Sequence, residues 1–308
     1  MTTPILHHYD LSPFAEKVRT ALGHKGVVWA SVEAPIWPPR PHTVPLTAGY
    51  RRIPVLQFGA DIYCDTALIL DELDRRYPDK PLYPMEHRGA IMAFARWADM
   101  AGFMPAATLT TSIIGDGVPA EFIADRIAFM HHDFSRTASM KTAPLDRQRV
   151  ASLIDLLAQM LADGRPFLFG ERLTAADLAA WHPLWFARSN GGAAIEALLS
   201  FDNLSDWMGR IAAIGHGQHS AMAPTDALSV ARDAQPIATT GVRDTDPSGL
   251  AEGDPVLVIA DEANDPIRGT LVAADTRELV IAHVTGAAGT VHVHLPRLGF
   301  SAVRDEDA

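Results

Sequence analysis

The spacing of apolar residues changes twice along this chain of 308 residues. Up to about residue 80, short apolar runs alternate with segments whose apolar residues recur every three or four positions. From residue 85 to 232 only the helical spacing remains, and after residue 238 short β-branched runs separated by turn residues replace it. Period two indicates strands, and spacing of three and four indicates helices. The order predicts an α/β domain, an all-α helical bundle and a small all-β, barrel-like module.

Three domains are therefore expected, over residues 1–80, 85–232 and 238–308, with the proline-rich stretch 78–84 as the first linker. Residues 35–49 hold five prolines and little periodicity, so we expect a loop there. From residue 240 onward there are 12 acidic and 5 basic residues, so the last module carries most of the net charge of -11.

This charge excludes general nucleic-acid binding, which needs a basic face. No stretch approaches the ~20 consecutive apolar residues of a membrane-spanning helix, so no membrane association is expected. The first residues lack the basic and apolar regions of a secretion signal. A single cysteine, Cys64, excludes an internal disulfide framework and is typical of the reducing cytoplasm, where we expect the protein. The same thiol is expected to be a buried, inert side chain.

The strongest local motif runs from Ser12 to Arg19. Pro13 suits the first position of a helix, where its missing N–H costs nothing. The Ser12 hydroxyl would then lie among unpaired backbone N–H groups at the positive end of that helix, which favours an anion such as a thiolate. The alternative is that Ser12 only caps the helix. Tyr9 is a second hydroxyl nearby, although packing at a strand end explains it equally well.

Two further motifs lie where a predicted strand or helix begins. Ile53-Pro54-Val55 places a proline at the start of an apolar strand, where a cis peptide would expose the Val55 backbone to an extended ligand. An ordinary edge-strand proline is the alternative. Asp65-Thr66 lies between a strand and a helix, where a carboxylate and a hydroxyl could bind an amino-acid head group or simply cap the helix.

In this order and spacing, the three motifs resemble the thioredoxin-like N-terminal domain of the cytosolic glutathione transferases, in particular their serine-or-cysteine branch. That family has Ser-Pro-Phe-x-x-Lys/Arg-Val-Arg at its first helix, a cis-proline motif, and a Glu/Asp-Ser/Thr pair at its third helix. Residues 167–178, with Thr174 and Asp177 in capping-box spacing, resemble the hallmark of the family's helical domain. The resemblance covers residues 4–232 and leaves the β module outside it.

The resemblance implies that Ser12 donates a hydrogen bond to the glutathione sulfur and stabilises its thiolate. Val55 would pair with the cysteinyl backbone, and Asp65 with Thr66 would hold the γ-glutamyl end. The family's ligand for the glycyl carboxylate is replaced here by a rigid loop, and the candidates for that role are Arg40, His42, Arg51 and Arg52. The full glutathione-binding set is Phe14, Arg52, Ile53, Pro54, Val55, Asp65 and Thr66. An apolar substrate would lie against Tyr9, Trp97, Met100 and Met104.

The implied function is a glutathione transferase that uses glutathione as co-substrate and attacks a small hydrophobic electrophile, in detoxification and as a cytoplasmic homodimer. Serine at position 12 favours conjugation or dehalogenation, because a hydroxyl cannot form a mixed disulfide. No metal is expected: His292 and His294 share a strand face, but the sequence offers only His283 as a third ligand. The alternative is a non-catalytic binding or scaffold protein of the same fold whose β module recruits a protein partner.

Overall fold

The structure is a computed structural model that describes residues 2–239, 241–243, 246–261 and 266–306. It divides into two compact units. Unit 1 contains Met1–Tyr9, Val28–Ile69 and His219–Ala308, and unit 2 contains Asp10–Val27 and Leu70–Gln218. The three domain ranges expected from the sequence stay a prediction.

Unit 1 is built on one ten-stranded sheet. The strands are β1 (Ile5–His8), β2 (Trp29–Glu33), β3 (Val55–Phe58), β4 (Asp61–Cys64), β5 (His219–Ala221), β6 (Pro255–Ala260), β7 (Ile267–Ala274), β8 (Glu278–Thr285), β9 (Gly289–Pro296) and β10 (Phe300–Arg304). Their order across the sheet is β10-β6-β7-β8-β9-β4-β3-β1-β2-β5. Strand β5 is a short exposed strand beside β2 that the sequence did not indicate.

The thioredoxin-like part of this sheet has the mixed pairing expected of its fold. Strand β1 runs parallel to β2 and antiparallel to β3, and β4 returns antiparallel to β3. The predicted C-terminal β module is also present, as the antiparallel series β10-β6-β7-β8-β9. It continues the first sheet, because β9 pairs in parallel with β4.

The helices of unit 1 are short. They are α2 (Val44–Thr47) and α9 (Pro224–Arg232), and the first turn of α3 (Thr66–Arg76) also lies in this unit. Helix α2 lies inside residues 35–49, so the expectation of a loop throughout that segment was wrong over four residues. Pro45 sits in its first turn, where a proline is tolerated, so the same residue that suggested a loop also suits a helix start.

Unit 2 is helical, as its spacing predicted. It contains α1 (Pro13–Lys25), α4 (Arg88–Ile114), α5 (Ala120–Met130), α6 (Arg136–Met160), α7 (Ala175–Leu198) and α8 (Ser205–Ala212). Helix α4 packs against α6 and α7, and α1 packs against α7. Across the described ranges, no helix has both the length and the apolar character needed to cross a bilayer.

Candidate functional site

Ser12 is the N-cap of α1 in unit 2. Its backbone is extended (φ -72°, ψ 118°), and its Oγ accepts a hydrogen bond of 3.1 Å from the backbone N–H of Ala15. Pro13 occupies the first helical position, as predicted. The cap uses only a lone pair of Oγ, so the hydroxyl proton stays available for an acceptor. Capping and thiolate binding, the two interpretations drawn from the sequence, are therefore compatible.

Phe14 is half-buried beside Ser12. Its ring lies 4.7 Å from the ring of His182 on α7 and 4.8 Å from that of Phe103 on α4, measured between ring centroids. These two contacts fix the start of α1 against the helices of unit 2. Phe14 thus contributes packing beneath the Ser12 turn.

A buried polar network follows one turn later. Asp99 on α4 accepts a hydrogen bond of 2.7 Å from Lys17 Nζ and one of 2.8 Å at its other oxygen from Nε2 of His182. Burial opposes charge on Asp99, but Lys17 and His182 hold its pKa below the ordinary value. Burial lowers the pKa of His182, and its Nδ1 has no partner among the described residues. No local sequence pattern indicates this network, because Lys17 and His182 lie 82 and 83 positions from Asp99.

The residues expected to contact an apolar substrate lie in both units. Trp97 and Met100 are exposed on α4, and Met104 is half-buried one turn further along the same face. The Trp97 ring contacts Phe94 on its own helix, with centroids 5.4 Å apart. Tyr9, in unit 1, is half-buried directly after β1. Within unit 2, the three α4 residues present an apolar face, as an amphipathic substrate-binding helix would.

Unit 1 contains the proline motif. The Ile53–Pro54 peptide is cis, as the sequence suggested. Val55 follows as the first residue of β3, opposite His7 on β1 and Cys64 on β4. The Cys64 side chain is fully buried, and burial raises its thiol pKa well above the ordinary value. The expectation of a buried cysteine is confirmed, and its lack of reactivity stays a prediction.

The loop before the cis-proline is closed by an arginine. The buried Arg40 guanidinium donates to the backbone carbonyls of Pro35 (2.7 Å), Ile36 (2.6 Å) and Arg51. These bonds commit Arg40 to holding the two ends of its own loop together. Of the four candidates for the glycyl carboxylate, Arg40 is therefore bound to carbonyls of its own loop. Another candidate, Arg52, is half-buried beside Ile53.

Asp65 lies at the junction of β4 and α3. Its backbone is left-handed (φ 71°), which is uncommon for a residue other than glycine. Its Oδ1 accepts a hydrogen bond of 2.9 Å from the N–H of Ala67, and its carbonyl accepts one from Ile69. Thr66 is buried beside it. Asp65 therefore caps α3, as one of the two interpretations predicted, and its binding of an amino-acid head group stays a prediction.

His294, one of the two histidines of β9, is bound between two carboxylates. His294 uses both ring nitrogens for hydrogen bonds of 3.1 Å, to Asp61 and to Glu278. Among the residues that the structure describes, no group of three or more His, Cys, Asp or Glu side chains is arranged to hold a metal ion.

Similarity to known proteins points to one family. The profile of the glutathione S-transferase N-terminal domain matches residues 6–81, and that of the C-terminal domain matches residues 124–210. A GST-like protein from Pseudomonas syringae is 33% identical, with a TM-score of 0.82 over 99% of this chain and 100% of its own. No protein of curated function matches significantly.

Two more distant structures share the fold alone. A glutathione S-transferase from Rhodospirillum rubrum F11 is 20% identical, with a TM-score of 0.53 over 68% of this chain and 87% of its own. Poplar glutathione transferase F1 is 16% identical, with a TM-score of 0.52 over 69% of this chain and 93% of its own. The Pseudomonas syringae protein, in contrast, matches nearly the full length, including the strands after residue 255. The chain belongs to the glutathione S-transferase family.

Proposed function

We propose that this protein is a glutathione transferase in which the Ser12 hydroxyl activates the glutathione thiol. The observation that carries the proposal is the N-cap geometry of Ser12: Oγ accepts from Ala15 N–H, and its proton is left to donate to a thiolate. The N-terminus of α1 adds a partial positive charge that favours the anion. Both effects stabilise the thiolate relative to the thiol, whose ordinary pKa is about 8.5.

The reaction is a nucleophilic attack by sulfur. The thiol proton leaves to water, and the thiolate forms a sulfur–carbon bond with a small hydrophobic electrophile, whose leaving group departs with the bonding electron pair. Ser12 stabilises the anion that attacks and forms no covalent bond itself. A serine cannot carry a mixed disulfide, which favours conjugation or dehalogenation over thiol–disulfide exchange.

Residues of unit 1 would contact the remainder of glutathione. Val55 at the start of β3 would pair with the cysteinyl backbone. The carboxylate of Asp65 would take the γ-glutamyl ammonium, and Thr66 with the first N–H groups of α3 would take the γ-glutamyl carboxylate. Arg52 is the proposed contact for the glycyl carboxylate.

The electrophile is proposed to contact the apolar face of α4, formed by Trp97, Met100 and Met104. Members of this family are often dimers, and we propose a cytoplasmic homodimer that acts in detoxification. The alternative, a scaffold whose β module recruits a partner, has less support, because β9 is already paired with β4 of the same chain.

Calorimetry with glutathione tests the proposal on wild type and Asp65→Ala. We expect wild-type binding with a Kd of about 1 mM or better, which corresponds to about -4.1 kcal/mol, and a loss of binding in the variant. Wild-type protein that fails to bind at several times that concentration would contradict the proposal. Binding that Asp65→Ala leaves unchanged would remove Asp65 from the site.

A further inference from the structure

We propose that Phe300, in the last strand of the C-terminal module, is a positioning residue for the glutathione-binding wall of unit 1. That wall consists of Val55 and Asp65, which are proposed glutathione contacts, and of residues 44–50, whose Leu46, Ala48 and Tyr50 pack in the same cluster as Val55. The inference rests on the proposed function, because it concerns the same glutathione contacts. The C-terminal module would then support the glutathione site instead of recruiting a protein partner.

The first observation is a shared hydrophobic core. Among the residues that the structure describes, inward side chains of the module and those of the wall pack together in one cluster. Ile53, the residue before Pro54, is partly buried and packs against the same cluster. The cluster joins Leu46, Ala48, Tyr50, Val55 and Cys64 to Val256, Val258, Ile267, Leu271 and Phe300.

The second observation is the contact between Tyr50 and Phe300. Both side chains are buried, and their ring centroids are 6.3 Å apart at an interplanar angle of 39°. Tyr50 closes the loop that begins at residue 35, and helix α2 in that loop packs against β4, β8 and β9. Phe300 therefore supports the loop from the module side.

The third observation is the strand that leads to Asp65. Strand β4 pairs with β9 of the module at Asp61, Ile62 and Tyr63. The Tyr63 ring stacks on His294 with centroids 4.3 Å apart at 17°. Asp65 thus follows directly on a strand that the module holds on one side.

These contacts predict how truncation of Phe300 would affect glutathione binding. Removing its ring opens space beside Tyr50, and the wall residues lose the surface that holds them. Glutathione would then bind a wall that has to be ordered on binding, which weakens affinity without removing any ligand contact. Leu298, two residues earlier, is 70% exposed and offers a matched control.

The test compares full-length wild type, Phe300→Ala, Phe300→Leu and Leu298→Ala. Glutathione Kd is measured by calorimetry, and amide hydrogen exchange is followed in peptides that cover residues 44–50, Cys64–Asp65 and, as reference, β1. For Phe300→Ala we expect a Kd raised about tenfold or more and faster exchange in the first two regions, with β1 unchanged. Phe300→Leu should restore most of the affinity, and Leu298→Ala should match wild type.

Three results would overturn the inference. The first is unchanged exchange at residues 44–50 in Phe300→Ala, and the second is exchange that rises equally in β1, which indicates general destabilisation. The third is faster exchange at residues 44–50 and Cys64–Asp65 in Phe300→Ala while its glutathione Kd equals that of wild type. If wild type itself does not bind glutathione, the proposed function fails, and the exchange comparison alone decides whether Phe300 positions the wall.

Discussion

Nε2 of His294 lies 3.1 Å from Oδ1 of Asp61, at the seam where the C-terminal module joins the thioredoxin-like strands. The other ring nitrogen, Nδ1, lies 3.1 Å from a carboxylate oxygen of Glu278. Two carboxylate partners favour a ring that carries a proton on both nitrogens, which is the charged imidazolium form. Burial opposes this charge, but the hydrogen bonds to the two carboxylates outweigh it and raise the pKa of His294.

The seam is therefore expected to weaken at alkaline pH. A histidine whose pKa is raised by folding adds to the free energy of unfolding. Its full contribution is present at pH values below its ordinary pKa of 6.5 and is lost as pH rises through its pKa in the folded protein. Within that window the free energy of unfolding should fall by up to about 1.4 kcal/mol per pH unit from this group. Urea unfolding monitored across this pH range measures the slope.

The control for this prediction is His294→Gln, whose side chain does not titrate in this pH range. The other groups at the seam are Glu278, which also binds Arg277, and His292, whose pKa is lowered by burial. The variant should be less stable at acidic pH and should lack the alkaline slope. An alkaline slope as steep in His294→Gln as in wild type would assign the effect to another group.

His7 should produce the opposite pH dependence. Its Nε2 bonds Oε1 of Gln57 at 2.8 Å, and the Gln57 amide donates to the carbonyls of Gly59 and Ala227, so His7 is the donor and stays neutral. Burial lowers its pKa to about 4. Its contribution is complete above 6.5 and is lost as pH falls towards 4, on the order of 3 kcal/mol in total.

The variant His7→Gln keeps a donor for Gln57 and removes the titration. We expect it to flatten the acid limb of the stability curve between pH 6.5 and 4. Urea midpoints at several pH values measure this effect. An acid limb that stays as steep as in wild type would show that His7 does not cause it.

Asp177 is expected to be the most costly polar residue of unit 2 to truncate. Its carboxylate is buried and accepts four hydrogen bonds of 2.8–3.0 Å, from the N–H of Leu168, the N–H and hydroxyl of Thr174, and Nε1 of Trp207. Asp177→Ala leaves these four donors buried without an acceptor, at a cost of about 1–3 kcal/mol for each donor that stays unsatisfied. Thr174→Ala removes the cap hydroxyl alone and should cost about 1 kcal/mol. Equal losses in denaturant unfolding would contradict this ranking.

The features that could be predicted from the sequence are local in the chain. The Ser12 cap, the Ile53–Pro54 cis peptide and the Thr174/Asp177 capping box each involve residues within a few positions of one another. Their geometry follows from turn and helix chemistry that a short segment fully specifies.

The features that could not be predicted join distant segments. Asp61 and His294 are 233 residues apart, and Lys17 and Asp99 are 82 apart. A period-two pattern shows that β9 is a strand but does not select β4 as its partner, since many strands share that pattern. Phe300 and Tyr50 likewise appear in the sequence as ordinary apolar residues, and only their packing indicates a role for the module.

Replacing Ser12 should separate its two roles. Ser12→Ala loses the cap of α1, for about 1 kcal/mol, together with the proposed hydrogen bond to sulfur. Ser135 caps α6 in the same way, by accepting from the N–H of Ala138 at 3.3 Å, so Ser135→Ala is the matched control for the stability loss. Turnover of glutathione with a chlorodinitrobenzene should fall about 10²-fold in Ser12→Ala and stay near wild type in Ser135→Ala.

The most direct measurement is the pKa of the glutathione thiol bound to wild type and to Ser12→Ala, followed by thiolate absorbance across pH. We predict a bound thiol pKa below the ordinary value of about 8.5 in wild type and a return towards that value in Ser12→Ala. Ser135→Ala should keep the wild-type value. A bound thiol with the same pKa in wild type and Ser12→Ala would contradict the proposal that Ser12 activates glutathione.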